Sequence, residues 1–270
     1  MPELPEVETT VRGLSEVLMG EKIIDVKLYR TSLRRPIPSD IQERLVGSTI
    51  VSLSRRAKYG IIVNDRDDAL IFHLGMSGRW KINPENFEKH DHFVLKTKNN
   101  RVVSLCDPRR FGSLDLVEKS QLSEWPYFKK LGAEPLTENF SPEYLQKKLF
   151  SSPTPIKKAL LDQKIVAGVG NIYACEALYQ AKIHPHRAGK NLTLTEITAL
   201  VFAVKDILQK AIAEGGSTLK DYARPNGELG YFSTKFKVYG KEGEACKCGC
   251  TIERVSLGGR STFFCSSCQK

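Results

Sequence analysis

The sequence predicts an α+β protein: an antiparallel β-sandwich with a flanking helix, then a helical region, then a small cysteine-rich hairpin. Three observations predict it. Seven short β-like runs fill residues 21–117, helical periodicity takes over after residue 143, and five of the seven cysteines lie in the last 25 positions.

Residues 5–20 read as a helix: Pro5 suits a first turn, Val7, Val11, Leu14 and Leu18 keep helical spacing, and Gly20 ends it. The runs KIIDVKLY, STIVSLSRR, YGIIVND, DALIFHLG, HFVLKTK, RVVSLCD and GSLDLV follow, parted by turn signals such as NDRDD and KNN. Strands this short and this evenly spaced form a sandwich or barrel. A first domain therefore covers 1–130, and the Pro- and Gly-containing stretch 131–143 reads as a linker. A second domain covers 144–233, with helices expected at 144–150, 156–162, 172–181 and 193–214. Thr193 and Glu196 form a capping box for the last of these; an apolar stripe from Ile197 to Ile212 marks its core face, and Gly215-Gly216 stops it. Residues 215–232 show no period and many turn formers, the texture of a long functional loop. Residues 234–270 make the terminal module.

A chain of 270 residues exceeds one small core. Its 41 Lys+Arg against 31 Asp+Glu leave a formal charge of +10, which favours polyanionic partners and salt-sensitive binding without choosing a fold. No apolar run approaches the roughly 20 residues that cross a bilayer. The acidic start MPELPEVETT has neither the cationic nor the apolar region of a signal peptide, so a cytoplasmic chain without membrane attachment is expected.

In a reducing compartment, clustered cysteines read as metal ligands before disulfides. Tetrahedral zinc takes four thiolates as two close pairs. Cys265 and Cys268 have the common two-residue spacing, whereas Cys246 pairs with either Cys248 or Cys250. Gly249 after Cys248 suits a tight knuckle, so Cys246, Cys248, Cys265 and Cys268 are the expected ligands of one structural Zn2+, with Cys250 spare. A redox dithiol or an iron–sulfur site is the competing reading. The module 234–270 carries seven Lys/Arg against three Glu, a surplus suited to a DNA-contacting finger that includes Arg254 and Arg260.

Eight motifs then carry a resemblance. MPELPEVE (1–8), RRAKYG (55–60), HLGMSG (73–78), KHDH (89–92), DPRRFG (107–112), VAGVGNIYACEAL (166–178), GGSTLKDY (215–222) and GGRSTFFCSSCQK (258–270) are together similar to the formamidopyrimidine-DNA glycosylase family. The resemblance runs over essentially the whole chain, in order. It implies an enzyme of base-excision repair acting on damaged double-stranded DNA; a monomer is expected separately, because nothing in the sequence demands a partner surface. Such an enzyme removes oxidised purines, 8-oxoguanine and formamidopyrimidines, and then nicks the strand as an AP lyase. It also implies a helix–two-turn–helix element around 144–233, with 215–232 capping the extruded base.

Pro2 would be the nucleophile. With the initiator Met removed it offers a secondary amine, and α-amino groups titrate near pH 8 in the reference state, about where a neutral fraction can attack a sugar carbon. Glu3 matches the general acid, given burial that keeps its carboxyl protonated; Glu6 is either a second pocket carboxylate or a helix first-turn acid. Lys58 matches the proton donor of β-elimination and Arg260 the finger arginine assigned to δ-elimination. Met76, Arg109 and Phe111 match the residues that fill the void left by the extruded base. His90, Lys157 and Asn171 match further DNA contacts, Asn171 standing at a helix N-terminus suited to phosphate. His73, His184 and His186 read as structural. Two departures stand out: the first cysteine pair is one residue short of the family's usual spacing, and Ser152 occupies a position where relatives are basic.

Two other readings remain open from the residues. One is an endonuclease VIII-like glycosylase for oxidised pyrimidines; the other is a non-catalytic zinc protein that only recognises lesions.

Overall fold

The computed structural model describes residues 2–217, 225 and 230–270. They pack as two compact units, 1–129 with 214–233, and 130–213 with 234–270. Most of the expected capping loop, 218–224 and 226–229, lies outside the described residues. What is described of that segment belongs to the first unit: Ser217 bonds to Glu6, and Ile82 N donates to Pro225 O at 2.8 Å.

In the first unit, α1 (Leu4–Leu18) opens with a capping box in which Glu6 accepts from the Glu3 backbone N–H at 2.8 Å. Two four-stranded antiparallel sheets follow. One has the order β1 (Ile23–Leu28), β6 (Asp91–Thr97), β7 (Val102–Cys106), β5 (Arg79–Ile82); the other runs β2 (Ile50–Arg56), β3 (Tyr59–Asn64), β4 (Asp68–His73), β8 (Ser113–Glu118). Their inner faces, α1 and the short α2 (Ile41–Leu45) share one apolar core that includes Val7, Leu14, Leu70, Phe72, Trp80 and Phe93. Phe72, Trp80 and Phe93 stack edge to face at 5.2 and 5.8 Å. Gly60 makes this possible, since a Cβ there would meet the Phe72 ring at 2.1 Å. The sandwich is thus present, with one strand and one helix beyond the sequence expectation. β5 has four residues and α2 five, too short for either period to show.

The second unit is built on α3 (Pro142–Leu149), α4 (Ile156–Leu161), α5 (Asn171–Gln180) and α6 (Leu194–Ala213). Thr193 and Glu196 cap α6 reciprocally: Glu196 accepts from Thr193 N at 2.8 Å, and Thr193 Oγ1 accepts from Glu196 N at 3.3 Å. The hairpin β9 (Glu253–Leu257) and β10 (Arg260–Phe264) completes it, pairing in register from Arg260↔Leu257 to Phe264↔Glu253. Among the described residues no helix is long and apolar enough to cross a membrane.

Candidate active site

In the first unit the N-terminal residues converge on the start of α1. Pro2 is buried ahead of the N-cap, and Glu3 is 2 % exposed. Glu6 does double duty: one carboxylate oxygen takes the Glu3 N–H, and the other accepts from Ser217 N at 2.8 Å and Ser217 Oγ at 3.0 Å. Gly216 has φ of +83°, and a Cβ there would lie 3.1 Å from that oxygen. Glu6 therefore joins the N-terminal segment to the segment that leads into 218–224.

Lys58 sits in the tight β2–β3 turn behind Ala57, whose φ is +53°, and is buried. On the next strand, His73 pairs with Tyr59 across the ladder. Burial pushes its imidazole from 6.5 down to about 3, helped by the positive charges of Lys58, Arg34 and Arg35. The ring is neutral, and its Nδ1 accepts from Gly75 N at 2.9 Å, which leaves the proton on Nε2. Between the two values the unfolded chain binds a proton that the native chain does not. This stability is therefore full above pH 6.5 and lost as pH falls through about 3. A His73→Gln variant should lose less stability than the parent between pH 7.5 and 4.5, read as urea midpoints. Equal losses would refute this account.

Met76, Arg109 and Phe111 are all exposed, and the Arg109 guanidinium lies 4.8 Å over the Phe111 ring. His90, half-buried, precedes β6, where Asp91 is held by Ser104 Oγ, Glu88 N and Lys81 Nζ. The structure thus gathers Pro2, Glu3, Lys58, Met76, His90, Arg109 and Phe111 in the first unit, and Lys157, Asn171, Arg260 and the cysteines in the second.

In the second unit Lys157 has 0 % exposure. Its ammonium donates to Ser261 O at 3.0 Å and Thr262 Oγ1 at 2.6 Å, while Asn171 Nδ2 donates to the same Ser261 carbonyl at 2.9 Å. Both residues thus grip the strand that begins at Arg260, which is itself exposed beside the Gly258-Gly259 turn. Glu176, buried on α5, accepts from the backbone N–H groups of Lys237, Val238 and Tyr239 and so fixes the approach to the hairpin.

Cys246, Cys248, Cys265 and Cys268 bring their sulfurs within 4.8 Å of one another, and Cys250 is not in the group. Two of the sulfur pairs stand at 3.7 and 3.6 Å. Zinc–thiolate bonds of about 2.3 Å in a tetrahedron place sulfurs roughly 3.8 Å apart, so the four thiols fit such an ion. Gly249, at φ +87°, closes the short knuckle, with Cys246 N donating to Cys250 O at 2.7 Å. Tyr179 Oη lies 3.1 Å from Cys246 Sγ, a donor suited to a thiolate.

Sequence reasoning overlooked Ser77, Asp107, Glu176 and Tyr179. Ser77, Asp107 and Glu176 lie inside motifs already singled out, HLGMSG, DPRRFG and VAGVGNIYACEAL, and Tyr179 lies just beyond the last of these; their parts were missed because their partners are distant in the chain.

Comparison with known proteins specifies the class to which this fold and site belong. Residues 1–114 match the formamidopyrimidine-DNA glycosylase N-terminal domain and 131–223 the formamidopyrimidine-DNA glycosylase H2TH domain. The chain is 84% identical to formamidopyrimidine-DNA glycosylase of Zymomonas mobilis and 55% identical to that of Novosphingobium aromaticivorans, each over 100% of both chains. It superposes with a TM-score of 0.92 and 38% identity on the wild-type Lactococcus lactis Fpg complex with N7-benzyl-Fapy-dG DNA, covering 100% of both chains. The complex of the same bacterium's Fpg with abasic-site DNA gives 0.92 and 38% over 99% of both. The class is therefore that of DNA glycosylases of base-excision repair. The chain belongs to the formamidopyrimidine-DNA glycosylase family.

Proposed function

We propose that this chain excises oxidised purines, 8-oxoguanine and formamidopyrimidines, from duplex DNA through a Schiff base on Pro2, and then nicks the strand as an AP lyase. The observation that carries the reading is Pro2 buried beside the equally buried Glu3 at the start of α1. A mature chain, lacking Met1, holds there a secondary amine next to a carboxyl in a site shielded from water.

The Pro2 nitrogen attacks C1′ as the glycosidic bond breaks, and the proton that the nitrogen sheds passes to the departing base. Glu3 supplies a proton to the ring oxygen, so the sugar opens and the nitrogen–carbon link becomes an iminium ion. The iminium acidifies the C2′ hydrogen; its loss expels the 3′-phosphate, and a second elimination expels the 5′-phosphate. Lys58 supplies the proton relay of the first elimination and Arg260 assists the second. Met76 and Phe111 occupy the emptied stack, and Arg109 pairs with the orphaned cytosine. His90 and Asn171 meet phosphates, and Lys157 serves the same end through Arg260's strand. Zinc held by Cys246, Cys248, Cys265 and Cys268 supplies folding energy to the hairpin rather than chemistry. The enzyme works as a cytoplasmic monomer, in keeping with its net positive charge and the thiol-rich finger.

The relative from Lactococcus lactis was also solved with oxidised-pyrimidine DNA, which keeps that substrate class as the comparison. Parallel excision assays on 8-oxoguanine:cytosine and thymine glycol duplexes decide between them. The purine lesion should be released at least about tenfold faster; the reverse order would overturn the substrate assignment.

A further inference from the structure

Three segments carry the proposed void fillers and a flanking DNA contact: 73–78 with Met76, 89–92 with His90, and 107–112 with Arg109 and Phe111. All three converge on one residue, Asp107, whose exposure is 0 %. Its carboxylate accepts from Ser77 Oγ at 2.7 Å and from Gly112 N at 2.8 Å. Its backbone N–H donates to His90 O at 2.9 Å, and its carbonyl accepts from His92 Nε2 at 2.9 Å. Ser77 Oγ gives its proton to Asp107 and accepts in turn from Arg109 N at 3.2 Å.

Two glycines bring the same loops into backbone contact. Gly75 has φ of +62°, and a Cβ there would fall 2.4 Å from the carbonyl carbon of Phe111; a Cβ on Gly112 would lie 2.7 Å from His73 O. Above these buried anchors stand Met76, 37 % exposed, Phe111, 45 % exposed, and the exposed Arg109. The polar parts are paired inside the protein while the tips face outward.

We propose that Asp107 and Ser77 are positioning residues that hold Met76, Arg109 and Phe111 as one preformed wedge before any DNA is bound. This inference rests on the reading of those three as void fillers. The physical reason is entropic. Loops that moved independently would have to be ordered during insertion, whereas a wedge locked by a buried carboxylate has met that cost in folding. The carboxylate holds its geometry because losing either donor would leave a buried charge short of hydrogen bonds.

The test compares Ser77→Ala, Ser77→Thr, Asp107→Asn and Phe111→Ala by single-turnover excision of 8-oxoguanine opposite cytosine or adenine. Nicking of a single-stranded abasic oligonucleotide, which has no stack to wedge, serves as the internal reference. Ser77→Ala and Asp107→Asn should slow excision from the cytosine duplex about tenfold and narrow the cytosine-over-adenine preference. Single-strand nicking by both should stay close to the parent's, and Ser77→Thr, which keeps the hydroxyl, should recover much of the lost rate. If Asp107→Asn does not fold, Ser77→Ala carries the test. Phe111→Ala reports on the void-filling reading alone: unchanged duplex excision there refutes that reading and the inference with it. A slow Phe111→Ala beside a fully active, fully discriminating Ser77→Ala overturns the clamp and leaves the wedge standing. Equal slowing of duplex and single strand by Ser77→Ala also overturns it, because the serine would then act on general structure.

Discussion

A chain carrying one residue that cannot be removed ahead of Pro2 will neither release 8-oxoguanine nor form a borohydride-trapped adduct with damaged duplex. The reason is electronic. An added residue turns the Pro2 nitrogen into an amide, whose lone pair is delocalised into the carbonyl and no longer nucleophilic. Every other group named for the reaction stays in place: Glu3 and Glu6 at the α1 N-terminus, Lys58 in the β2–β3 turn, Arg260 at the hairpin. The loss should therefore be chemical, on the order of a thousandfold or more in single-turnover rate, with lesion-duplex affinity nearly preserved. Pro2→Gly keeps a terminal amine but gives up the ring that fixes its direction, and should lose most strand nicking. Intact-mass analysis of the active parent should show the initiator Met absent. Full activity and a trapped adduct in the extended chain would mean that another side chain forms the bond to the sugar.

How much of this could be read before the fold depends on whether a residue's partners are local. The α1 helix, the α6 capping box and the Cys265–Cys268 pair were legible because their periodicity, cap and spacing are all contained within a few residues. The strand pattern was legible wherever runs reached six or seven residues, and failed at Arg79–Ile82, where Arg-Trp-Lys-Ile is too short to show alternation. Lys157 is the instructive site residue. Within α4 and next to Lys158 it was matched to a DNA contact, yet it is fully buried and its ammonium is bonded to Ser261 and Thr262, more than a hundred residues away. Ser77 and Glu176 were hidden for the same reason. Asp107 likewise stood inside a motif, DPRRFG, where the neighbouring Arg109 and Phe111 drew the functional reading, and its own part shows only when the loops at 73–78 and 89–92 are seen to meet on it.

Stripping the proposed zinc with a chelator, or replacing Cys265 with Ser, should abolish specific binding to lesion duplex while leaving the first unit folded. The hairpin has little core of its own; Val238, Ile252 and Phe263 pack around Cys246 and Cys265 themselves. Metal binding in such modules supplies apparent free energies of roughly 10 kcal/mol or more, which is folding energy when no site exists in the unfolded chain. Without it β10 loses its frame, and Lys157 and Asn171 lose the Ser261 carbonyl that both hold. Arg260 is then no longer presented at a defined place, and affinity should fall at least about a hundredfold. Both tryptophans, Trp80 and Trp125, belong to the first unit, so their fluorescence reports that unit alone and should hardly change. Cys250→Ser supplies the contrast: that thiol is outside the four-sulfur group, and the variant should retain one zinc per chain and parental binding. Zinc lost from Cys250→Ser but kept by Cys248→Ser would show the knuckle assigned to the wrong cysteine. Tryptophan emission that shifts on chelation would show instead that the first unit needs the metal as well.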